Sequence, residues 1–243
     1  MSTVPHPNSG GRRERNKSDK QQRIFDAADA LFAERGYAAV TTQQIAERAD
    51  VAAGTVFRYA SSKAEMLLMV HNQRYRRAIE YAELHLPPAG HPGERLAALL
   101  TPLVHFGRLN DENTAAYGQA MLFGSSHETY RTEALELMER LQQRVAEVLA
   151  TAWQLQHPAS AGQPAPPTPD AAPAARAIYA AFLFASIQAT NTDITVEQQL
   201  AGILNQVDVI SRGYLHPAPA HNATSAPSRT TRLAKQSKEE THV

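Results

Sequence analysis

The sequence predicts an all-α protein with a unit of short helices at its N-terminus and a larger helical body behind it. Two observations carry this. Apolar residues recur at i, i+3, i+4 and i+7 in segment after segment, the spacing of one-faced helices. Ser or Thr followed three residues later by Gln or Glu, the capping-box signature of a helix start, occurs at Ser18/Gln21, Thr41/Gln44, Ser62/Glu65 and Thr195/Gln198.

Taken in order, residues 1–17 are rich in Pro, Gly, Asn and Arg without periodicity, and they read as a disordered basic arm. A first helix is expected from Ser18, burying Ile24, Ala27, Ala28, Leu31 and Phe32, with Gly36 ending it. Thr41 opens a short helix through Ile45, Ala46 and Ala49, and Asp50 and Val51 form a turn. A third short helix is expected over 52–60, burying Val56. The Ser62 box then opens a long fourth helix.

Two short helices across a tight turn, braced by longer ones, make a helix-turn-helix, the second helix of which fits a DNA major groove. The segment "VAAGTVFRYASSK", 51–63, sets large side chains where a core has little use for them. Phe57 can meet thymine methyls, Arg58 a guanine or a phosphate, and the Tyr59 hydroxyl a phosphate oxygen. Thr42, Thr55 and Lys63 are expected to clamp the DNA backbone, and Gly54 to admit it closely. With Thr41, Gln43 and Ala53 beside them, these ten residues form the candidate DNA surface; Phe57 and Tyr59 can instead pack on neighbouring helices, and Arg58 can be a solvated charge. Charge agrees. The zero net charge divides into an excess of five basic residues over 12–77, seven acidic over 78–216 and two basic over 217–243.

The stretch "AADALFAERGYAAVTTQQIAERADVAAGTVFRYASSKAEML" resembles the N-terminal domain of the TetR family of transcriptional regulators. The likeness covers about residues 20–70, with Phe-x-x-x-Gly-Tyr, Thr-Thr, Ile-Ala-x-x-Ala, Val-x-x-Gly-Thr-Val-Phe-x-Tyr and Ser-Lys in order. The chain departs from the family pattern at Ala52 and Ala53, where Ser-Lys or Ser-Arg is usual, and at Ala60, where Phe is usual. The first departure removes a hydroxyl cap and a cation, and the second shrinks a core contact.

The resemblance implies a DNA-binding domain at 18–70 and a helical effector-binding and dimerisation domain at 71–216, followed by a tail at 217–243 read as disordered. It further implies a homodimer on a palindromic operator, its last two long helices forming a four-helix bundle between subunits. A small-molecule effector would release the DNA, with coupling through the helix that leaves residue 63 and the helix at 94–108. Repression is the family's commoner outcome; activation by the same fold, or a helical ligand-binding module without DNA contact, are the alternatives.

Within the body, Leu96, Leu99, Leu100, Leu103 and Val104 share a face, with Pro102 expected to kink or end that helix. Helices are expected over about 113–123, 129–153 and 175–189, the last being Ala-rich, and Thr195 caps a final helix. The Pro-rich 157–173 stretch reads as a non-helical loop. The candidate effector pocket comprises His105, Phe106, Tyr117, Met121, Phe123, Trp153, Tyr179, Phe182 and Gln188, each of which can also be ordinary core.

Enzymatic activity is not expected. There is no Gly-rich phosphate loop, and "HETYR" at 127–131 ends in Arg where a zinc protease helix needs a second His. No cofactor or metal is expected. Zero cysteines exclude disulfides, thiolate nucleophiles and Cys-based zinc sites. The lack of an apolar run of about 18 residues, or of an apolar stretch behind the first charges, places the chain in the cytoplasm without membrane contact.

Overall fold

A computed structural model describes residues 9–217. Among them are nine helices: α1 (Ser9–Ala39), α2 (Thr42–Arg48), α3 (Ala53–Val56), α4 (Lys63–Leu84), α5 (Pro92–Gly107), α6 (Asp111–Phe123), α7 (Thr129–Gln156), α8 (Ala172–Ala189) and α9 (Val196–Leu215). The tail beyond 217, like residues 1–8 of the expected arm, lies outside the described residues.

The first correction concerns α1, which runs from Ser9, so the expected arm over 9–17 and the helix start at Ser18 do not hold. Residues 14–23 are exposed throughout and rich in Arg, Lys, Glu and Gln. Such residues extend an existing helix at little cost, and propagation needs no apolar face. At the other end Gly36 takes φ 77 and ψ 166 and breaks the helical course. That backbone region is open to glycine almost alone.

The Thr41/Gln44 capping box forms as expected, each side chain bonded to the other's backbone N–H. Ser62 caps α4 by accepting from Glu65 N, but the Glu65 carboxylate reaches back one residue further, to Ser61 N at 2.6 Å. The Thr195/Gln198 box opens α9. α5 continues through Pro102, which neither ends it nor interrupts its assignment.

Around the N-terminal unit, one apolar cluster joins Ile24, Leu31 and Phe32 of α1 to Ile45, Val56, Met66 and Leu67. The same cluster takes in Tyr117 and Met121 of α6 and Ala134 of α7. The boundary expected at 70/71 therefore falls inside α4 and inside a shared core. A second cluster fills the body, where α4, α5, α7, α8 and α9 bury Leu99, Leu103, Leu141, Val145, Ile178 and Ile203. Trp153 belongs to it, stacked on His157 and edge-on to Tyr214.

The Pro-rich segment is non-helical from 157 to 171, and Pro173 sits in the first turn of α8, where its missing N–H is not needed. Its end is tied down: Tyr214 Oη donates to Pro169 O at 2.9 Å, and Gln154 Nε2 to Thr168 Oγ1 at 3.3 Å. No helix among the described residues is long and apolar enough to cross a membrane.

The end of α1 is fixed by α6. Asn113 Nδ2 donates to Phe32 O at 2.8 Å inside the protein, and the Glu112 carboxylate accepts from Ala38 N. A Cβ at Gly36 would stand 2.1 Å from that carboxylate. Gly36→Ala therefore carries both backbone strain and a clash. We expect it to lower stability by about 1–3 kcal/mol, read from urea unfolding; an unchanged midpoint would show that the junction tolerates a side chain.

Candidate nucleic-acid interface and internal cavity

The second helix of the turn motif is shorter than expected. Regular helix covers only Ala53–Val56, and Arg58 N to Thr55 O (3.1 Å) and Tyr59 N to Val56 O (2.9 Å) carry the turn on by i to i+3 bonds. Ala52 stands at the N-cap with no side-chain cap, while Thr55, Val56, Phe57 and Tyr59 are all weak helix formers. Val56, fully buried, anchors this segment to the core.

Gly54, Phe57 and Arg58 are exposed, Phe57 at 50%. A Cβ at Gly54 would have no atom within 4 Å, so the chain itself does not require glycine there, and the space is open to a partner. The Arg58 guanidinium has no hydrogen bond or ion pair among the described residues. The cations nearby differ: Arg48 pairs twice with Glu34 at 2.7 Å, and Arg23 reaches Asp50 at 3.4 Å. The Glu34 carboxyl is held below its usual range chiefly by that Arg48 hydrogen bond. Gln43 is exposed and bonded to Glu47, Thr41 is exposed at its cap position, and Thr42, Ala53 and Thr55 are half-buried beside it.

Two expected phosphate contacts have internal duties. Lys63 Nζ donates to Tyr37 O and Val40 O, each at 2.9 Å, and lies 4.3 Å over the Tyr37 ring. It staples the end of α1 to the start of α4, leaving one N–H for any further acceptor. Tyr59 Oη donates to Lys17 O at 3.2 Å and so braces α1.

Inside the body a cavity lies between α4, α5, α6, α7 and α8. Of the nine residues expected in a pocket, Tyr117, Met121, Tyr179 and Phe182 line this cavity. Five of the expected residues do not. His105 and Gln188 are exposed, Phe123 is 82% exposed at the end of α6, and Trp153 packs in the core against Tyr214. Phe106 turns to the opposite side and packs on His71 and Tyr75. Periodicity finds an apolar face but not which part of it meets a void. The space reachable by water is about 40 Å³, room for a few waters, so a larger ligand has to displace the walls.

Sequence reasoning missed the polar residues of α4. His71, Asn72 and Tyr75 continue the stripe of Leu67 and Leu68 at steps of four and eight, and that continuation was the available signal. Asn72 is fully buried: Oδ1 accepts from Tyr117 Oη at 3.0 Å, and Nδ2 donates to Tyr130 O at 2.7 Å and to Glu133 at 3.1 Å. Tyr117 thus joins the cavity wall to a node shared by α4 and α7. His71 sits between Phe106 and Tyr117 with its Nδ1 unpartnered, and burial lowers its pKa to about 3, aided by Arg74. Among the described residues no group of His, Asp and Glu is placed to hold a metal ion.

Comparison with known proteins bears on both regions. Residues 24–70 match the family model for bacterial regulatory proteins of the tetR family. The HTH-type transcriptional repressor KstR of Rhodococcus jostii (strain RHA1) is 31% identical over 126 residues, 51% of this chain and 58% of the relative. The fatty acid metabolism regulator protein of Bacillus subtilis (strain 168) is 31% identical over 115 residues, 47% of this chain and 58% of that one. The chain thus spans somewhat over half the length of these curated relatives. Among solved structures, Thermus thermophilus FadR, a TetR-family repressor in complex with lauroyl-CoA, superimposes with a TM-score of 0.62 at 21% identity, over 82% of this chain and 99% of that one. That likeness establishes the all-α fold.

The buried His71 gives a pH dependence. Its folded pKa lies below its unfolded value, so the unfolded chain binds the proton first, and stability present above pH 6.5 is lost as pH falls toward 3. By pH 5 the loss amounts to about 2 kcal/mol. Urea unfolding at pH 8 and pH 5 should show it, and His71→Phe should remove that part of the slope; an equal slope in the variant would mean the proton goes elsewhere.

Proposed function

We propose that this chain, whose residues 24–70 match the family model for bacterial regulatory proteins of the tetR family, is a ligand-responsive transcriptional repressor of that family. It acts in the cytoplasm as a homodimer on a palindromic DNA operator, and a small-molecule effector in the cavity releases it. The observation that carries this reading is α6, which lines the cavity through Thr114, Tyr117, Gly118 and Met121 and grips the end of α1 through Glu112 and Asn113.

DNA reading is assigned to the exposed surface of Gly54, Phe57 and Arg58, with Thr41, Thr42, Gln43, Ala53 and Thr55 approaching phosphates. Lys63 and Tyr59 hold this surface in place; Lys63 has one N–H left for phosphate, whereas the Tyr59 O–H is already given to Lys17 O. Dimerisation is assigned to α8 and α9. Ala177, Ala180 and Phe184 form an exposed face of α8, and Gly202, Val209 and Gly213 one of α9. Phe184 and Val209 are 67% and 70% exposed, and the small residues beside them permit close helix approach.

Release is assigned to a route between the cavity and α1. Of the helices that line the cavity, α1 packs on α4 and α6, so α4, named already from the sequence, and α6 would carry the signal, with α6 in place of α5. An effector widening the cavity moves Tyr117 and with it the Asn72 node, shifting α6 and the attached end of α1. It favours release by as much as it prefers that state. The Bacillus subtilis relative is named for fatty acid metabolism, and the Thermus protein holds lauroyl-CoA, so a long-chain acyl thioester is the first effector to try.

The test is selection of a binding site from a random duplex library, followed by salt and lauroyl-CoA titrations on the selected sequence. The reading predicts a palindrome, affinity that falls steeply with salt, and release by effector. Absence of enrichment from a folded protein would contradict it and favour a ligand-binding module without DNA contact. Arg58→Ala should relax preference at one base position, costing about 1–3 kcal/mol there; a uniform loss across sequences would make Arg58 a phosphate contact instead.

A further inference from the structure

The cavity that the proposed function assigns to an effector has a chemistry of its own. No Asp, Glu, Lys, Arg or His lines it. Its polar groups are five hydroxyls, and two of these are already engaged. Thr114 donates to Gly107 O at 2.6 Å and Tyr117 to Asn72 Oδ1 at 3.0 Å. The other three, on Tyr75, Tyr179 and Ser186, make no hydrogen bond among the described residues, and the Ser186 oxygen is buried without a partner.

Buried hydroxyls are as a rule hydrogen-bonded, and each one left unpaired costs on the order of 1–3 kcal/mol. The Ser186 oxygen is such a group, and with the Tyr75 and Tyr179 hydroxyls, which also have no hydrogen bond to the protein, it offers polar contacts to whatever fills the apolar chamber. They also come from two different helices, Tyr75 from α4 and Tyr179 and Ser186 from α8. Tyr75 is held by its neighbours, edge-on to Phe106 with centroids 4.7 Å apart and against Tyr117 at 4.9 Å. Tyr179 packs against Phe182 at 6.2 Å. Burial pushes both phenols well above their ordinary pKa, so both remain O–H donors at neutral pH.

We infer that the cavity takes an uncharged, mainly apolar ligand with a hydrogen-bond-accepting oxygen of the carbonyl type, held by the Tyr75 and Tyr179 hydroxyls. A carbonyl oxygen has two lone pairs and can accept from one donor on each helix. A plain hydrocarbon leaves all three hydroxyls unpaired. A carboxylate brings a charge into a chamber with no cation to meet it, which is costlier still. This assignment rests on the cavity being the effector site, and it narrows the effector to ketones, esters, thioesters and similar molecules whose buried part is neutral.

Three probes of similar shape separate the cases: acetophenone, ethylbenzene and benzoate, each titrated calorimetrically at pH 7 into the full chain. Acetophenone should bind at least about tenfold more tightly than either of the others, the scale of one hydrogen bond to a buried donor. Tyr75→Phe and Tyr179→Phe should each bring acetophenone close to ethylbenzene while leaving ethylbenzene itself unchanged. Gly118→Leu, which fills the cavity, should abolish binding of the neutral probes.

Benzoate binding as tightly as acetophenone, or Phe variants that leave the acetophenone to ethylbenzene ratio intact, would overturn the inference. If Gly118→Leu still blocked ethylbenzene, the cavity would stand as the ligand site and only its chemistry would be wrong. If no probe bound the wild type, or Gly118→Leu changed nothing, the cavity assignment would fall together with the inference.

Discussion

The hold of α6 on the end of α1 is the contact on which the rest of the arrangement depends. Asn113, 2% exposed, donates to the backbone of Phe32, and Glu112 receives the amide of Ala38 just past the break at Gly36. Phe32 is at the centre of the N-terminal core, and Ala38 is two residues from Val40, whose carbonyl receives Lys63. One short stretch of chain therefore orients α1 against α2, α4 and the body together. Gly36 makes this possible, because any side chain there would occupy the place of the Glu112 carboxylate.

In the proposed function, that contact matters because of what the same helix does further along. Thr114, next to Asn113 in the chain, already faces the cavity, and Tyr117 and Gly118 follow one turn later. A helix is stiff over one or two turns, so a wall displaced at Tyr117 moves Glu112 and Asn113 with it. Coupling between sites in regulatory proteins is typically about 1–3 kcal/mol. A buried side-chain hydrogen bond such as that of Asn113 is on the same scale, so loosening one bond at this junction is sufficient. The continuous core from Ile24 to Ala134 argues in the same direction, since no seam separates the two parts.

Features written in local chemistry were legible in the sequence. The Thr41/Gln44 and Thr195/Gln198 boxes, the stop at Gly36 and the buried stripe of α1 each depend on residues within a turn or two of one another. The start of α1 was not legible, because charged helix formers extend a helix without leaving an apolar pattern. Nor was the length of α3, which an uncapped, β-branched segment cuts to one turn. Pocket residues were half legible for a geometric reason. Tyr117, Met121, Tyr179 and Phe182 lie on faces that converge, whereas Trp153, His105 and Gln188 depend on helix rotation and crossing angle, which spacing along one helix does not set. Lys63 and Tyr59 show the same limit, since the carbonyls they bind lie 23 to 42 residues away in sequence.

The central claim, that α6 transmits the state of the cavity to α1, is tested most directly by amide hydrogen exchange across residues 32–40, with wild type compared against Gly118→Leu. The account predicts faster exchange over this segment, Ala38 included, when the cavity is filled, with α9 unaffected. Unchanged protection at 32–40, with differences confined to α7 and α8, would contradict it.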